Sequence, residues 1–138
     1  MSTYKAFEVR EETEKKFVGA IVEKSALELV EGSVSIEVHY SSVNYKDALS
    51  ASGSKAVTRE YPHVPGIDAA GTVLASTDSN FAVGDEVVVT GYDLGMNTAG
   101  GFGQQVTVPG GWVTKLPVGL SLRDSMVLGT AGLTAGLC

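Results

Sequence analysis

Between positions 33 and 42 apolar and polar residues take turns. Val34, Ile36, Val38 and Tyr40 alternate with Ser35, Glu37, His39 and Ser41, the two-residue period of a strand with one buried face. Shorter runs over 5–9, 16–22, 70–75, 85–90, 104–108 and 112–116 are bounded by Gly, Pro, Asp or Asn and predict six further strands. Seven short strands point to a barrel or sandwich. Two places read as helix. Asn44 is placed to cap a short helix over 45–51 that stops near Gly53. Ser121 and Asp124 have capping-box spacing, and Met126, Val127, Leu128, Leu133 and Leu137 supply apolar positions for a helix from Leu122 onward, weakened by Gly129 and Gly132. Residues 93–103, rich in glycine and small polar side chains, predict a loop long enough to move and to border a pocket.

Composition narrows the class. A chain of 138 residues, 43% apolar and 19% charged, suits one globular domain. Seventeen glycines favour tight turns between strands over long helices. The net charge of −6, with no cluster of cations, argues against a nucleic-acid partner. No window approaches 18 uninterrupted apolar residues, and no apolar stretch follows a basic start, so a soluble cytoplasmic protein without a membrane partner is expected. Cys138 is the sole cysteine, which rules out an internal disulfide and a four-cysteine zinc lobe. The chain stops there inside an apolar run, without a glycine cap or polar tail, and this predicts that the polypeptide continues.

Several segments carry a resemblance when taken in order. Ser-Ser-Val-Asn-Tyr-Lys-Asp-Ala at 41–48, Val-Pro-Gly-Ile-Asp-Ala-Ala-Gly-Thr-Val at 64–73 and Gly-Asp-Glu-Val at 84–87 resemble the medium-chain dehydrogenase/reductase superfamily. Gly-Gly-Phe-Gly-Gln-Gln at 100–105, Leu-Pro-Val-Gly-Leu-Ser at 116–121 and Leu-Gly-Thr-Ala-Gly-Leu-Thr-Ala at 128–135 narrow it to the YhdH/YhfP-type quinone oxidoreductases, which include acryloyl-CoA reductase. The resemblance implies a mainly β, GroES-like, partly open barrel over 1–121, with 122–138 starting the helix that leads to a nucleotide-binding Rossmann domain. That domain's Gly-x-Gly-x-x-Gly fingerprint is absent from this chain. It further implies NADPH as cofactor, a homodimer at full length, and reduction of an enone, an acryloyl-CoA-type thioester or a quinone. The rival reading is a stand-alone GroES-like binding or structural module without catalysis.

The resemblance also nominates site residues. Zinc-using relatives hold the metal with cysteine, histidine and cysteine where this chain has Asn44, Ile67 and a position near Thr130, so a zinc-independent reaction is expected. Such a reaction polarises its acceptor through hydrogen bonds. Tyr45 is expected beside the substrate carbonyl or the nicotinamide ribose, or else packed as a core aromatic. Asn44 positions the carbonyl, caps the helix, or does both. Lys46 lies near the cofactor cleft or on the solvated surface, while Asp47 anchors structure. Asp68 holds backbone or pairs with a cation rather than acting as a base. Thr130 and Thr134 are expected under the nicotinamide, with Thr134 preferred, or simply permit close helix packing. Arg59 meets an anionic coenzyme A tail or is a surface arginine, and Tyr92 and Met96 line an acyl pocket. His39 and His63 are expected exposed or locally bonded.

Overall fold

The structure, a computed structural model, describes residues 2–138. Among these the elements run β1 (Thr3–Thr13), β2 (Lys16–Ser25), β3 (Ser33–Tyr40), α1 (Tyr45–Ala51), β4 (Asp68–Ser76), β5 (Glu86–Thr90), β6 (Gln105–Pro109), β7 (Thr114–Lys115) and α2 (Leu122–Leu137), with a 3-10 turn at Gly110–Trp112. β1 and β2 form a hairpin in which Ala6 faces Val22 and Phe7 faces Ile21. The other five make one antiparallel sheet in the order β6-β3-β4-β5-β7.

Main-chain donors and acceptors that β2 does not satisfy find partners across the gap between the sheets. Phe7 N–H donates to the Phe102 carbonyl at 2.8 Å and Gln104 N–H to Lys5 at 2.9 Å, while Val9 and His63 exchange bonds of 2.8 and 2.9 Å. The result is a partly open barrel.

Inside it, Val34 and Ile36 of β3, Val73 of β4, Val87 and Val89 of β5, and Val106 and Val108 of β6 meet Leu94 and Val113. β-branched side chains suit such a pleated surface, and full burial of each contributes about 1.5–3 kcal/mol. The expected alternation of β3 holds only in part: Val34 and Ile36 are buried and Glu37 and His39 exposed, but it fails at Ser35 and at both ends. Tyr40 is exposed, whereas Ser33 and Ser35 are buried. Both serines have partners: Ser35 Oγ accepts from Gln105 Nε2 at 2.8 Å, and Ser33 Oγ donates to the Val30 carbonyl at 2.6 Å. Burial is tolerated because nothing polar is left unpaired.

Three expectations change on contact with the fold. The run at 112–116 yields only the two-residue strand β7, because Val113 N–H turns back to the Gly110 carbonyl at 3.0 Å and draws Trp112 into the 3-10 turn. The second helix is interrupted at Gly129, where φ is 50° and ψ −155°. The loop at 93–103 is stitched to 64–66. Gly100 N–H donates to Val64, Gly101 N–H to Gly66 and Phe102 N–H to Pro65, at 2.8, 2.8 and 3.0 Å. A Cβ at Gly100 would lie 2.4 Å from the Gly66 carbonyl oxygen, so this approach depends on glycine. Among the described residues no helix is long and apolar enough to cross a membrane.

Candidate functional site

Two buried carboxylates hold the turn after β3 in place. Asp47, only 1% exposed, accepts three backbone N–H groups: Asn44 at 2.8 Å on Oδ2, and Gly66 and Ile67 at 3.1 and 2.9 Å on Oδ1. It thereby fastens the start of α1 to the segment that leads into β4, as the structural anchor expected of it. Lys46, one residue earlier, is exposed and points away from this anchor, since neighbouring helical side chains diverge by about 100°.

Asp68 opens β4 and is 0% exposed. Its Oδ2 accepts from Asn44 Nδ2 at 2.9 Å and from the Thr130 N–H at 3.0 Å, and its Oδ1 accepts from Thr130 Oγ1 at 2.6 Å. No cation is bonded to it among the described residues; three neutral donors satisfy it instead. One side chain therefore ties α1, β4 and α2 together. Gly129 makes this possible, because a Cβ there would sit 2.7 Å from Ser42 Oγ and 2.8 Å from Asp68 Oδ2. The break in α2 turns the Thr130 amide and hydroxyl toward the carboxylate.

The walls so joined border an open cleft of about 570 Å³. Asn44, Tyr45 and Lys46 line one side, and Thr130 and Thr134 the other. Leu49, Val57 and Ile67 supply apolar lining, with Ala131 and Ala135 on α2. Tyr45 is 80% exposed, so it is not a core aromatic. The Thr134 hydroxyl donates to the Thr130 carbonyl one turn back, at 2.9 Å. Ile67 shares this cleft with Asn44 and Thr130, so the three positions compared with zinc ligands offer an alkyl group, an amide and a hydroxyl at one place.

Arg59, Tyr92 and Met96 do not line this cleft. Arg59 borders a separate depression with Glu60 and Asn97, and its N–H donates to Asn97 Oδ1 at 3.0 Å. Tyr92, at φ 53°, stacks on Trp112 with ring centroids 5.5 Å apart and planes 7° from parallel. Met96 is half-buried in the loop, its N–H bonded to the Asp93 carbonyl at 3.1 Å. His39 is exposed and meets Thr72 Oγ1 at 3.1 Å. His63 is buried and bonded to the Gly95 carbonyl at 2.8 Å, and burial pushes its pKa below the ordinary value.

Leu49, Val57, Ala131 and Ala135 join the cleft without being among the residues nominated from sequence. A usable signal existed for three of them. Leu49 stands four residues after Tyr45, while Ala131 stands three residues before Thr134 and four before Ala135, and such spacings place side chains on one helix face.

Comparison with known proteins agrees with this architecture. The family model of the alcohol dehydrogenase GroES-like domain matches residues 30–118. The acrylyl-CoA reductase AcuI of Ruegeria pomeroyi is 44% identical over 128 residues, covering 93% of this chain and 39% of that protein. The Bacillus subtilis protein YhfP, named as a quinone oxidoreductase, is 50% identical over 113 residues, covering 82% of this chain and 34% of its own. Its crystal structure with NAD bound superposes with a TM-score of 0.92 at 42% identity, over 99% of this chain and 41% of that one. The YhdH oxidoreductase of Salmonella enterica, solved in complex with NADP, gives a TM-score of 0.90 at 43% identity, over 97% and 41%. The chain thus spans about two fifths of the length of the curated relatives it matches. With its barrel, its two helices and this match, the chain belongs to the alcohol dehydrogenase GroES-like domain family and is similar, within the medium-chain dehydrogenases/reductases, to the YhdH/YhfP-type oxidoreductases.

Proposed function

We propose that this chain forms the substrate-side portion of an NADPH-dependent, zinc-independent reductase. Its acceptor is an α,β-unsaturated carbonyl or an acyl-CoA thioester of the acryloyl-CoA type; a quinone, which also presents a conjugated carbonyl, is the second acceptor class. The observation that carries the reading is the cleft itself, where Asn44, Tyr45 and Lys46 face Thr130 and Thr134. These groups suit a flat, polar heteroaromatic amide: one wall offers donors, the other hydroxyl oxygens, and apolar side chains lie between. When bound, NADPH supplies the hydride.

The chain's own residues do the rest. The Tyr45 hydroxyl donates to the acceptor oxygen as charge gathers on it, a role usually served by preorganised donors. The Lys46 ammonium adds a positive field on the same wall. Leu49, Val57 and Ile67 give the cleft an apolar lining against which a flat ring can rest. Asp47 and Asp68 hold the walls at a fixed separation, which is the positioning that such a reaction depends on. An amide, an alkyl group and a hydroxyl at Asn44, Ile67 and Thr130 are a poor donor set for zinc, which selects thiolate and imidazole, so acceptor polarisation is assigned to the hydrogen bonds.

Two measurements test this. Isothermal titration of NADPH into this chain, and into a polypeptide extended to the length of its relatives, should show tight binding to the longer form. Tight capture of a different partner by the chain alone, with no response to NADPH in either form, would favour a non-catalytic module. An acceptor screen on the longer form, followed by loss of NADPH absorbance, should show turnover of enoyl thioesters, enones or quinones. Unchanged absorbance across all three sinks the proposal.

A further inference from the structure

We infer that Asp68 sets the hydrogen-bonding polarity of the cleft, and that the polarity it sets selects a primary carboxamide over a ketone of the same shape. The inference rests on the nicotinamide reading above and deepens it by naming the group recognised and the residue that makes recognition possible.

A carboxylate only accepts, so every atom bonded to it must donate. The Thr130 hydroxyl lies 2.6 Å from Asp68 Oδ1, and its single proton is therefore committed there. What Thr130 presents to the cleft is lone pairs. The Thr134 proton is committed in the same way, because its partner at 2.9 Å is a carbonyl oxygen. The NH2 end of the Asn44 side chain faces Asp68 at 2.9 Å, which fixes the orientation of that amide as well. Both hydroxyls on the α2 wall thus accept. The donor left free on the opposite wall is the Lys46 ammonium, with three N–H groups, since the Tyr45 proton goes to the acceptor oxygen. A primary carboxamide carries an oxygen acceptor and an NH2 donor on one carbon, so it can satisfy both walls at once. A methyl ketone has the oxygen alone and sets a methyl group against the Thr130 lone pairs.

Asp68 is a positioning residue in this scheme, since it acts through Thr130. Asp68→Asn tests it without changing side-chain shape. The new amide can keep its oxygen toward Asn44 and the Thr130 N–H, and its NH2 then donates to Thr130 Oγ1. The threonine proton is released toward the cleft, and the wall changes from acceptor to donor.

The experiment titrates a polypeptide extended to the length of its relatives with reduced nicotinamide mononucleotide and with its 3-acetylpyridine counterpart, following the amide NMR signals of Thr130 and Thr134. The wild-type chain should bind the carboxamide about tenfold more tightly or better, the usual consequence of leaving one polar group unpaired. Asp68→Asn should erase or reverse that preference. Thr130→Val, which has no oxygen to present, should erase it without reversal and serves where the Asp68 variant does not fold. Equal affinities in the wild type, or a preference unchanged in the variants, would overturn the inference and leave the proposed function standing. If neither compound moves the two signals, the nicotinamide reading falls and this inference with it.

Discussion

Replacing Asp47 with asparagine removes one charge from a site where every polar contact is a backbone N–H. Its three donors lie at 2.8, 2.9 and 3.1 Å and the side chain is buried. An amide can keep its oxygen on Gly66 and Ile67, but its NH2 then confronts the Asn44 N–H, donor against donor. Hydrogen bonds to charged groups contribute about 1.5–3 kcal/mol and neutral ones about 0.5–1.5. Two weakened bonds and one lost bond therefore cost about 3.5–6 kcal/mol. Asp47→Ala removes all three and strands buried donors, a loss comparable with the roughly 5–15 kcal/mol that holds a typical domain together. The asparagine variant should unfold at lower urea, with a melting temperature lower by about 10–20 °C, when followed by circular dichroism and by the fluorescence of Trp112. Glu60→Gln on the exposed surface is the control, with an expected change under about 0.5 kcal/mol. Asp47→Asn within about 1 kcal/mol of wild type would show that the carboxylate does not anchor α1, and the account of the cleft wall would fail with it.

Other perturbations probe different links. Tyr45→Phe, tested in a polypeptide of the relatives' length, should lower kcat by about one to three orders of magnitude, on the order of 1.5–4 kcal/mol; an unchanged kcat/KM would retire the donor role. Gly129→Ala forces a Cβ into the space of Ser42 Oγ and Asp68 Oδ2 at a backbone conformation open mainly to glycine. A loss of about 2–4 kcal/mol is expected from strain and from displaced bonds, and a urea midpoint equal to wild type would refute it. His63 is held below its ordinary pKa of 6.5 by burial. The unfolded chain takes up its proton first, so this contribution is complete above pH 6.5 and is lost as the pH falls below it. His63→Gln should flatten the dependence of the urea midpoint on pH between about 5 and 7, and an identical slope in both proteins would exclude His63 as its source.

Local chemistry was enough to place most elements. The strand at β3 follows from alternation, because a two-residue period can bury only one side of a pleat, and α1 follows from Asn44 and Gly53 on either side of seven helix-compatible residues. The burial of Ser33 and Ser35 and the exposure of Tyr40 escaped that reasoning. Whether Ser35 is buried depends on Gln105, 70 residues away, reaching it across the sheet. The short β7 escaped it too, since nothing local says that Val113 will bond back to Gly110.

The same division runs through the site. Sequence alone nominated the candidate side chains, and by resemblance those expected to share a cleft, because residue type and spacing are local properties. Only the tertiary structure decided that Asp68 lies between Asn44 and Thr130, that Gly129 breaks α2 to let it do so, and that Arg59, Tyr92 and Met96 lie elsewhere. The physical reason is distance along the chain. Asp68 and Thr130 are 62 residues apart, and a hydrogen bond of that span has no periodicity, cap or turn signal to announce it. It exists because the sheet and helices, packed for their own apolar faces, bring a carboxylate and its donors to one point.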